Sequence, residues 1–261
     1  MQTKAIKLLT KVNDKRLYVE LYQNYPKKPT IVFLHDSLGC VKLWRDFPHK
    51  LAEVTQCNVL IYDRLGYGRS EPMSTHKRPT NYLELEADIL NDLLNNLNID
   101  NIILFGHSDG GSIALIAASK YPKKINGLIC EAGHVFVEDL TLKGIYEAIK
   151  AYESTNLPER LAKYHNNNVD TIFKAWSETW TRNDYRNWNI EHFLPKIICP
   201  LLFIQGESDE YGTLAQVEKT INQISGKSEK FIIPNIGHSP HKEAPKNVLD
   251  KVIDYIECLK K

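Results

Sequence analysis

Seven short runs rich in apolar and β-branched residues recur along the chain, each bounded by turn formers: RLYVELYQ (16–23), TIVFLHD (30–36), CNVLIYD (57–63), NIILFG (101–106), INGLICEA (125–132), PLLFIQG (200–206) and EKFIIPN (229–235). Several are apolar without alternation, as expected of strands covered on both faces of a parallel sheet. Segments with helical spacing lie between them. Leu83, Ala87, Leu90, Leu94 and Leu97 recur at steps of three and four, as do Leu214, Val217, Ile221 and Ile224, and Val248, Val252, Ile256 and Leu259. This alternation predicts an α/β domain, a mostly parallel central sheet with helices on both faces.

The alternation fails between about Gly133 and Pro195. There only helical spacing appears, through Leu142, Ile145, Ile149 and Tyr152, then Val169, Ile172, Phe173, Trp176 and Trp180. The return of strand pattern at CPLLFIQG predicts one core domain, 1–132 and 196–261, interrupted by a helical lid at 133–195. Three of the four tryptophans fall in that insertion: Trp176, Trp180 and Trp188. They are candidates to wall an apolar pocket, and also candidates for plain packing against the core.

Composition adds exclusions. Hydrophobic residues make up 43% and charged residues 25% of the 261, ordinary for a globular chain with a sizeable core. The formal net charge is +1, with lysines and arginines scattered among acids, so nothing points to nucleic acid or an anionic membrane surface. Cys40, Cys57, Cys130, Cys199 and Cys258 are widely spaced and odd in number, a pattern of free thiols in a reducing compartment. The opening MQTKAIKLLTKVND has no continuous apolar core of leader length, and no stretch approaches the ~18 apolar residues of a membrane span. A cytoplasmic location is expected, and the oligomeric state is open.

Chemistry concentrates around Ser108 in FGHSDGGSIAL (105–115), at the seam between a strand and an apolar helix. A sharp strand-to-helix turn strains its central residue and crowds its neighbours, and glycine at 106 and 110 removes side chains that would collide. The turn lifts the Ser108 hydroxyl clear of the sheet edge and aims a helix N-terminus at it. A serine hydroxyl needs a base. Of nine histidines, His238 follows the last strand and precedes the final helix. Asp209, just past the preceding strand, is the acid to orient it, with Glu207 a rival. His241 reads as a surface imidazole, and His35 and His107 as strand-end or turn residues. No HxH or HExxH grouping suggests a metal, and no cofactor is called for.

These residues resemble the α/β-hydrolase superfamily over nearly the full length. VFLHDSLG (32–39) resembles its oxyanion strand and loop, YDRLGYGRS (62–70) its D-x-x-G-x-G-x-S turn, and GHSDGG (106–111) its nucleophile elbow. GESDEYG (206–212) resembles the acid loop and GHSPHKEAP (237–245) the histidine segment. The resemblance implies the α/β-hydrolase fold, with backbone N–H groups of Ser37 and Asp109 as oxyanion donors. Asp36 departs from the glycine usual after His35. The Asp63 segment is read as shaping a turn. Within the serine-nucleophile branch, GHSDGG resembles the biphenyl-hydrolase-like group that includes valacyclovir hydrolase.

Asp109 has two readings. An acid in the first helical turn gains about 0.3–1 kcal/mol from the helix dipole. A carboxylate about 6 Å from a forming oxyanion also opposes it by roughly 3 kcal/mol at an effective dielectric near 20, which a substrate ammonium would cancel. The resemblance implies such an ammonium grip on α-amino-acid esters. The expected function is serine hydrolysis of a small carboxylic ester through an acyl-enzyme, with Ser108, Asp209 and His238 catalytic. Asp109, Trp176, Trp180 and His134 are expected to contact the substrate. Alternatives on the same scaffold are a carbon–carbon bond hydrolase of ring-cleavage products, a cofactor-free perhydrolase or acyltransferase, and a ligand receptor without catalysis.

Overall fold

Ile31 and Phe33 belong to one buried apolar cluster, and Val32 and Leu34 to another, on opposite faces of a single strand, β3 (Thr30–Leu34). Successive side chains of a strand point to opposite faces, so a strand buried on both must be apolar throughout. The same division recurs in β5 (Ile102–His107), where Ile103 and Phe105 face one cluster and Ile102 and Leu104 the other. The computed structural model describes residues 5–259. The reading of the first fourteen residues as lacking a leader rests in part on residues 1–4, outside those described.

The remaining strands are β1 (Ile6–Val12), β2 (Lys15–Tyr22), β4 (Asn58–Tyr62), β6 (Ile125–Glu131), β7 (Leu201–Gly206) and β8 (Ser228–Ile233). The helices are α1 (Phe47–Thr55), α2 (Tyr82–Asn96), α3 (Asp109–Lys120), α4 (Asp139–Ser154), α5 (Leu157–His165), α6 (Val169–Thr181), α7 (Leu214–Ile221), α8 (Pro240–Glu243) and α9 (Pro245–Leu259). The strands form one sheet in the order β1-β2-β4-β3-β5-β6-β7-β8. β1 with β2 and β2 with β4 pair antiparallel, and every later pair is parallel.

α1 and α9 pack together over one face of the sheet, and α2 and α3 over the other. Every residue of α3 from Asp109 to Ser119 is buried, because the 3₁₀ segment Glu191–Lys196 packs against the helix as well. That enclosure explains why GGSIALIAASK carries no charged stripe. α4, α5 and α6 occupy the stretch between β6 and β7, where helical spacing alone was expected. A bridge between Phe136 and Asn189, together with the Ile190 N–H donating to the Val135 carbonyl, pins the two ends of this stretch side by side.

One edge departs from the sequence expectation. β1 was not among the predicted strands. Its lysines alternate with apolar residues because it is an edge strand, with Ile6 and Leu9 left exposed. It turns into β2 through Asn13 and Asp14, both at positive φ, as a two-residue hairpin turn requires. β8 at the opposite edge is mostly open to solvent. All five cysteines are free, with Cys258 exposed and the other four buried. Among the described residues no helix is long and apolar enough to cross a membrane.

The sheet order reverses between β3 and β5, which run parallel with Leu34 opposite Gly106. Chain leaving the carboxyl ends of these two strands diverges there, opening the crevice in which α/β sheets bind ligands. His35 to Ser37 and Ser108 flank it.

Candidate active site

Ser108 joins β5 to α3 at φ 56° and ψ −120°, a conformation that only a tightly packed turn sustains in a residue with a side chain. The two glycines that permit it meet different neighbours. A Cβ on Gly106 would lie 2.1 Å from the Gly110 carbonyl oxygen within the turn. One on Gly110 would lie 2.0 Å from the Leu34 carbonyl oxygen of β3, so this glycine serves the approach of helix to strand rather than the turn.

Ser108 Oγ lies 2.9 Å from His238 Nε2, and His238 Nδ1 lies 2.9 Å from both oxygens of Asp209. Glu207 is exposed; Asp209, not its rival, reaches the imidazole. Asp209 is held in turn by the Tyr211 and Gly212 N–H groups at 2.8 and 3.2 Å and by Gln205 Nε2 at 2.7 Å. Burial pushes the Asp209 carboxyl up, but His238 and the Tyr211 N–H outweigh it and hold it below the usual range. Burial likewise pulls His238 down, and the adjacent Asp209 more than restores it, so its pKa is raised. His107 Nε2 donates to the His238 carbonyl at 2.8 Å and ties the loop to the elbow. His107, the last residue of β5, is the strand-end residue expected, and its ring also holds this loop.

The two expected oxyanion donors flank Ser108. Asp109 is the first residue of α3, where an N–H has no acceptor within the helix. Ser37 follows β3 and lines the same cavity as Ser108. Asp36, in place of glycine, folds its carboxylate against Gly39, which has no side chain to obstruct it.

A cavity of about 480 Å³ opens above Ser108, of the size that small-molecule sites occupy. Its walls include Trp176, Trp180 and His134, the three residues expected there from the helical stretch. His134 is buried, its Nε2 donating to the Tyr211 carbonyl at 3.1 Å and its ring 5.9 Å from that of His238. Trp188 does not line the cavity. It stacks on Tyr185 at 5.5 Å and packs against Trp180 at 5.4 Å, so it supports the wall from behind. His241 is not at the surface either. It is buried and bonded to Glu131. Among the described residues no group of three His, Cys, Asp or Glu side chains is placed to hold a metal.

A family model for the alpha/beta hydrolase fold matches residues 29–190, which include Ser37 and Ser108. The chain belongs to the alpha/beta hydrolase fold family. It is 30% identical over 193 residues to human "Serine hydrolase BPHL", a match spanning 70% of this chain but only 64% of the human protein. It is 28% identical over 270 residues to "Putative esterase/lipase 2" of Mycoplasma genitalium, covering 95% of this chain and 97% of that one. Among solved structures, the alpha/beta hydrolase MGS-M2 from a Medee basin deep-sea metagenome library superposes with a TM-score of 0.78 at 21% identity, over 96% of this chain and 97% of that one.

What sequence reasoning missed in this alpha/beta hydrolase is the setting of Asp109. Its Oδ2 accepts from the Tyr82 hydroxyl at 3.1 Å and faces Arg64 Nη2 at 3.6 Å, with the Arg64 and Asp109 side chains 0% and 1% exposed. Arg78 stacks over the Tyr82 ring at 4.7 Å, and Trp180 donates to the Tyr82 hydroxyl at 2.9 Å. The acid beside Ser108 is thus compensated within the protein. Arg64 and Arg78 looked like ordinary surface cations in the sequence, and no local pattern distinguishes a buried guanidinium from an exposed one. Glu210, Tyr211 and Arg160 also line the cavity without having been singled out.

Proposed function

We propose that this alpha/beta hydrolase is a serine hydrolase that cleaves small carboxylic esters through an acyl-enzyme. The observation that carries the proposal is the unbroken chain from Ser108 Oγ through His238 to Asp209, with every link at 2.9 Å. His238 takes the hydroxyl proton as Ser108 Oγ bonds to the ester carbonyl carbon, and Asp209 stabilises the imidazolium. The N–H groups of Ser37 and Asp109 receive the oxyanion. His238 returns the proton to the departing alcohol, and a water, deprotonated by the same imidazole, releases the acid. His134, Trp176 and Trp180 contact the substrate.

The proposal is tested by labelling with a fluorophosphonate and reading the adduct by mass spectrometry, followed by a panel of short acyl esters. An adduct on Ser108, absent in His238→Ala, with turnover of the esters, is the expected result. An adduct without ester turnover would favour carbon–carbon hydrolysis or transfer to a nucleophile other than water. No adduct would leave a binding protein on a hydrolase scaffold.

A second reading, α-amino-acid esters, is favoured by the presence of Asp36, Asp109 and Glu210 in the cavity wall. It predicts that Asp109→Asn loses activity on aminoacyl esters far more than on matching acyl esters. Equal loss on both would discard it. The pairing of Asp109 with Arg64 weighs toward plain acyl esters, since the carboxylate already has its cation.

A further inference from the structure

The Asp36 carbonyl accepts two side-chain hydrogen bonds. Arg64 Nη2 donates to it at 2.9 Å, and His35 Nδ1 at 2.8 Å. The Arg64 backbone N–H meanwhile donates to His35 Nε2 at 3.0 Å, so that nitrogen is the acceptor and Nδ1 carries the proton. Burial, and then the Arg64 charge, hold the His35 pKa well below its ordinary value, in keeping with a neutral ring. The carbonyl that collects these bonds belongs to the peptide unit whose N–H is that of Ser37. No hydrogen bond joins that N–H to another described residue, and Ser37 lines the cavity with Ser108.

Burying a guanidinium completely is costly, and at Arg64 the attraction of neighbouring groups, the Glu86 and Asp109 carboxylates among them, outweighs that cost and keeps it charged. Its nearest carboxylate is Asp109 at 3.6 Å, and its Nε and Nη1 have no partner among the described residues. A bare structural cross-link needs no such charge. A cation bonded to an amide oxygen draws electron density from nitrogen to oxygen along the peptide resonance, and the N–H becomes a stronger donor. The same guanidinium faces the one carboxylate that stands beside the nucleophile.

We infer that Arg64 is an electrostatic positioning residue of the oxyanion hole, polarising the Asp36–Ser37 peptide so that the Ser37 N–H binds a developing oxyanion more strongly, and offsetting the opposing charge of Asp109. The inference rests on the serine-hydrolase reading. It also answers how an acid follows the nucleophile without repelling the transition state. Arg64 acts only where charge develops, so it contributes to kcat and leaves ground-state binding unchanged.

The test compares the unsubstituted enzyme with Arg64→Met and with Arg64→Met/Asp109→Asn, the second removing both charges so that no carboxylate is left buried alone if the single variant fails to fold. Each is measured for fluorophosphonate labelling, kcat and KM on its best short acyl ester, and inhibition by an alkyl trifluoromethyl ketone and by an isosteric, unreactive ether. Removing an oxyanion donor costs on the order of 10²–10³ in rate, and weakening one is expected to cost about tenfold or more in kcat. Trifluoromethyl ketone affinity should fall in step with kcat in each variant, further in Arg64→Met, where Asp109 is left unopposed, than in the double variant, with KM and ether affinity unchanged. Unchanged kcat and ketone affinity in either folded variant overturn the inference, as does recovery of full activity in the double variant. If the unsubstituted enzyme forms no adduct on Ser108, the serine-hydrolase reading falls and takes this inference with it. An adduct there, with variants indistinguishable from it, sinks the inference alone.

Discussion

The Glu131 carboxylate holds His241 at two points, its Oε1 accepting the backbone N–H at 2.6 Å and its Oε2 the imidazole Nδ1–H at 2.9 Å, with both side chains buried. Glu131 ends β6, and His241 lies on α8, just after the loop that carries His238. The pair therefore anchors that loop from below, with the Trp44 ring 4.6 Å from the His241 ring. Glu131→Ala leaves a buried imidazole and N–H unpaired and is expected to cost about 1–3 kcal/mol for each in urea unfolding. It should also lower kcat by loosening His238. Glu131→Gln, which keeps a hydrogen-bonding side chain of the same shape, should lose less on both counts.

Tyr82→Phe removes the hydroxyl shared by Trp180 and Asp109 but keeps the ring beneath Arg78. It leaves a buried indole N–H and a carboxylate oxygen each short of a partner, so a loss of about 1–3 kcal/mol is expected from the denaturation midpoint. A change within a few tenths would mean that another group takes over both bonds.

In the proposed mechanism His238 must be neutral to accept the Ser108 proton. Its pKa is raised above the ordinary 6.5, Asp209 outweighing burial, so kcat/KM should fall as pH drops through a value above 6.5. Asp209→Asn removes the charge responsible. The surviving activity, lower on the order of 10⁴, should then show its acid limb at lower pH.

Stability should also fall in mild acid. Burial is the first cause lowering the pKa values of His35, His134, His165 and His241 below 6.5. A group with a depressed folded-state pKa stabilises fully above its unfolded value, and that stabilisation disappears as pH falls through the folded one. His238, with its raised pKa, contributes in the opposite sense, stabilising below 6.5 and losing that effect as pH rises through its folded value. Burial also raises Asp63 to about 6, and Glu86 above its ordinary value, so these two act in the sense of His238. Four groups against three predict a melting temperature that declines slightly as pH is lowered from 7. A flat profile between pH 7 and 5 would contradict this balance.

Gly110→Ala places a Cβ 2.0 Å from the Leu34 carbonyl oxygen, and backbone must move to admit it. A loss of about 1–3 kcal/mol is expected in urea unfolding, as for overpacked cores. Activity should fall too, since the displacement separates the elbow from the oxyanion loop.

The alternation of apolar runs with helical spacing was enough to determine the α/β layering, and turn chemistry at Gly106 and Gly110 was enough to single out Ser108. His238 and Asp209 followed from their places after strands, since all parallel strands deliver their ends to one edge of the sheet. Each of these inferences uses relationships local to the chain. Outside the His238–Asp209 pair, tertiary structure alone decided which buried groups meet. Arg64 lies against Asp109, Glu131 against His241, and Trp188 behind Trp180 instead of in the cavity wall. A periodic pattern tells which face of an element is covered, but not by what. Charge compensation depends on the covering group, and in this protein that group arrives from a distant part of the chain.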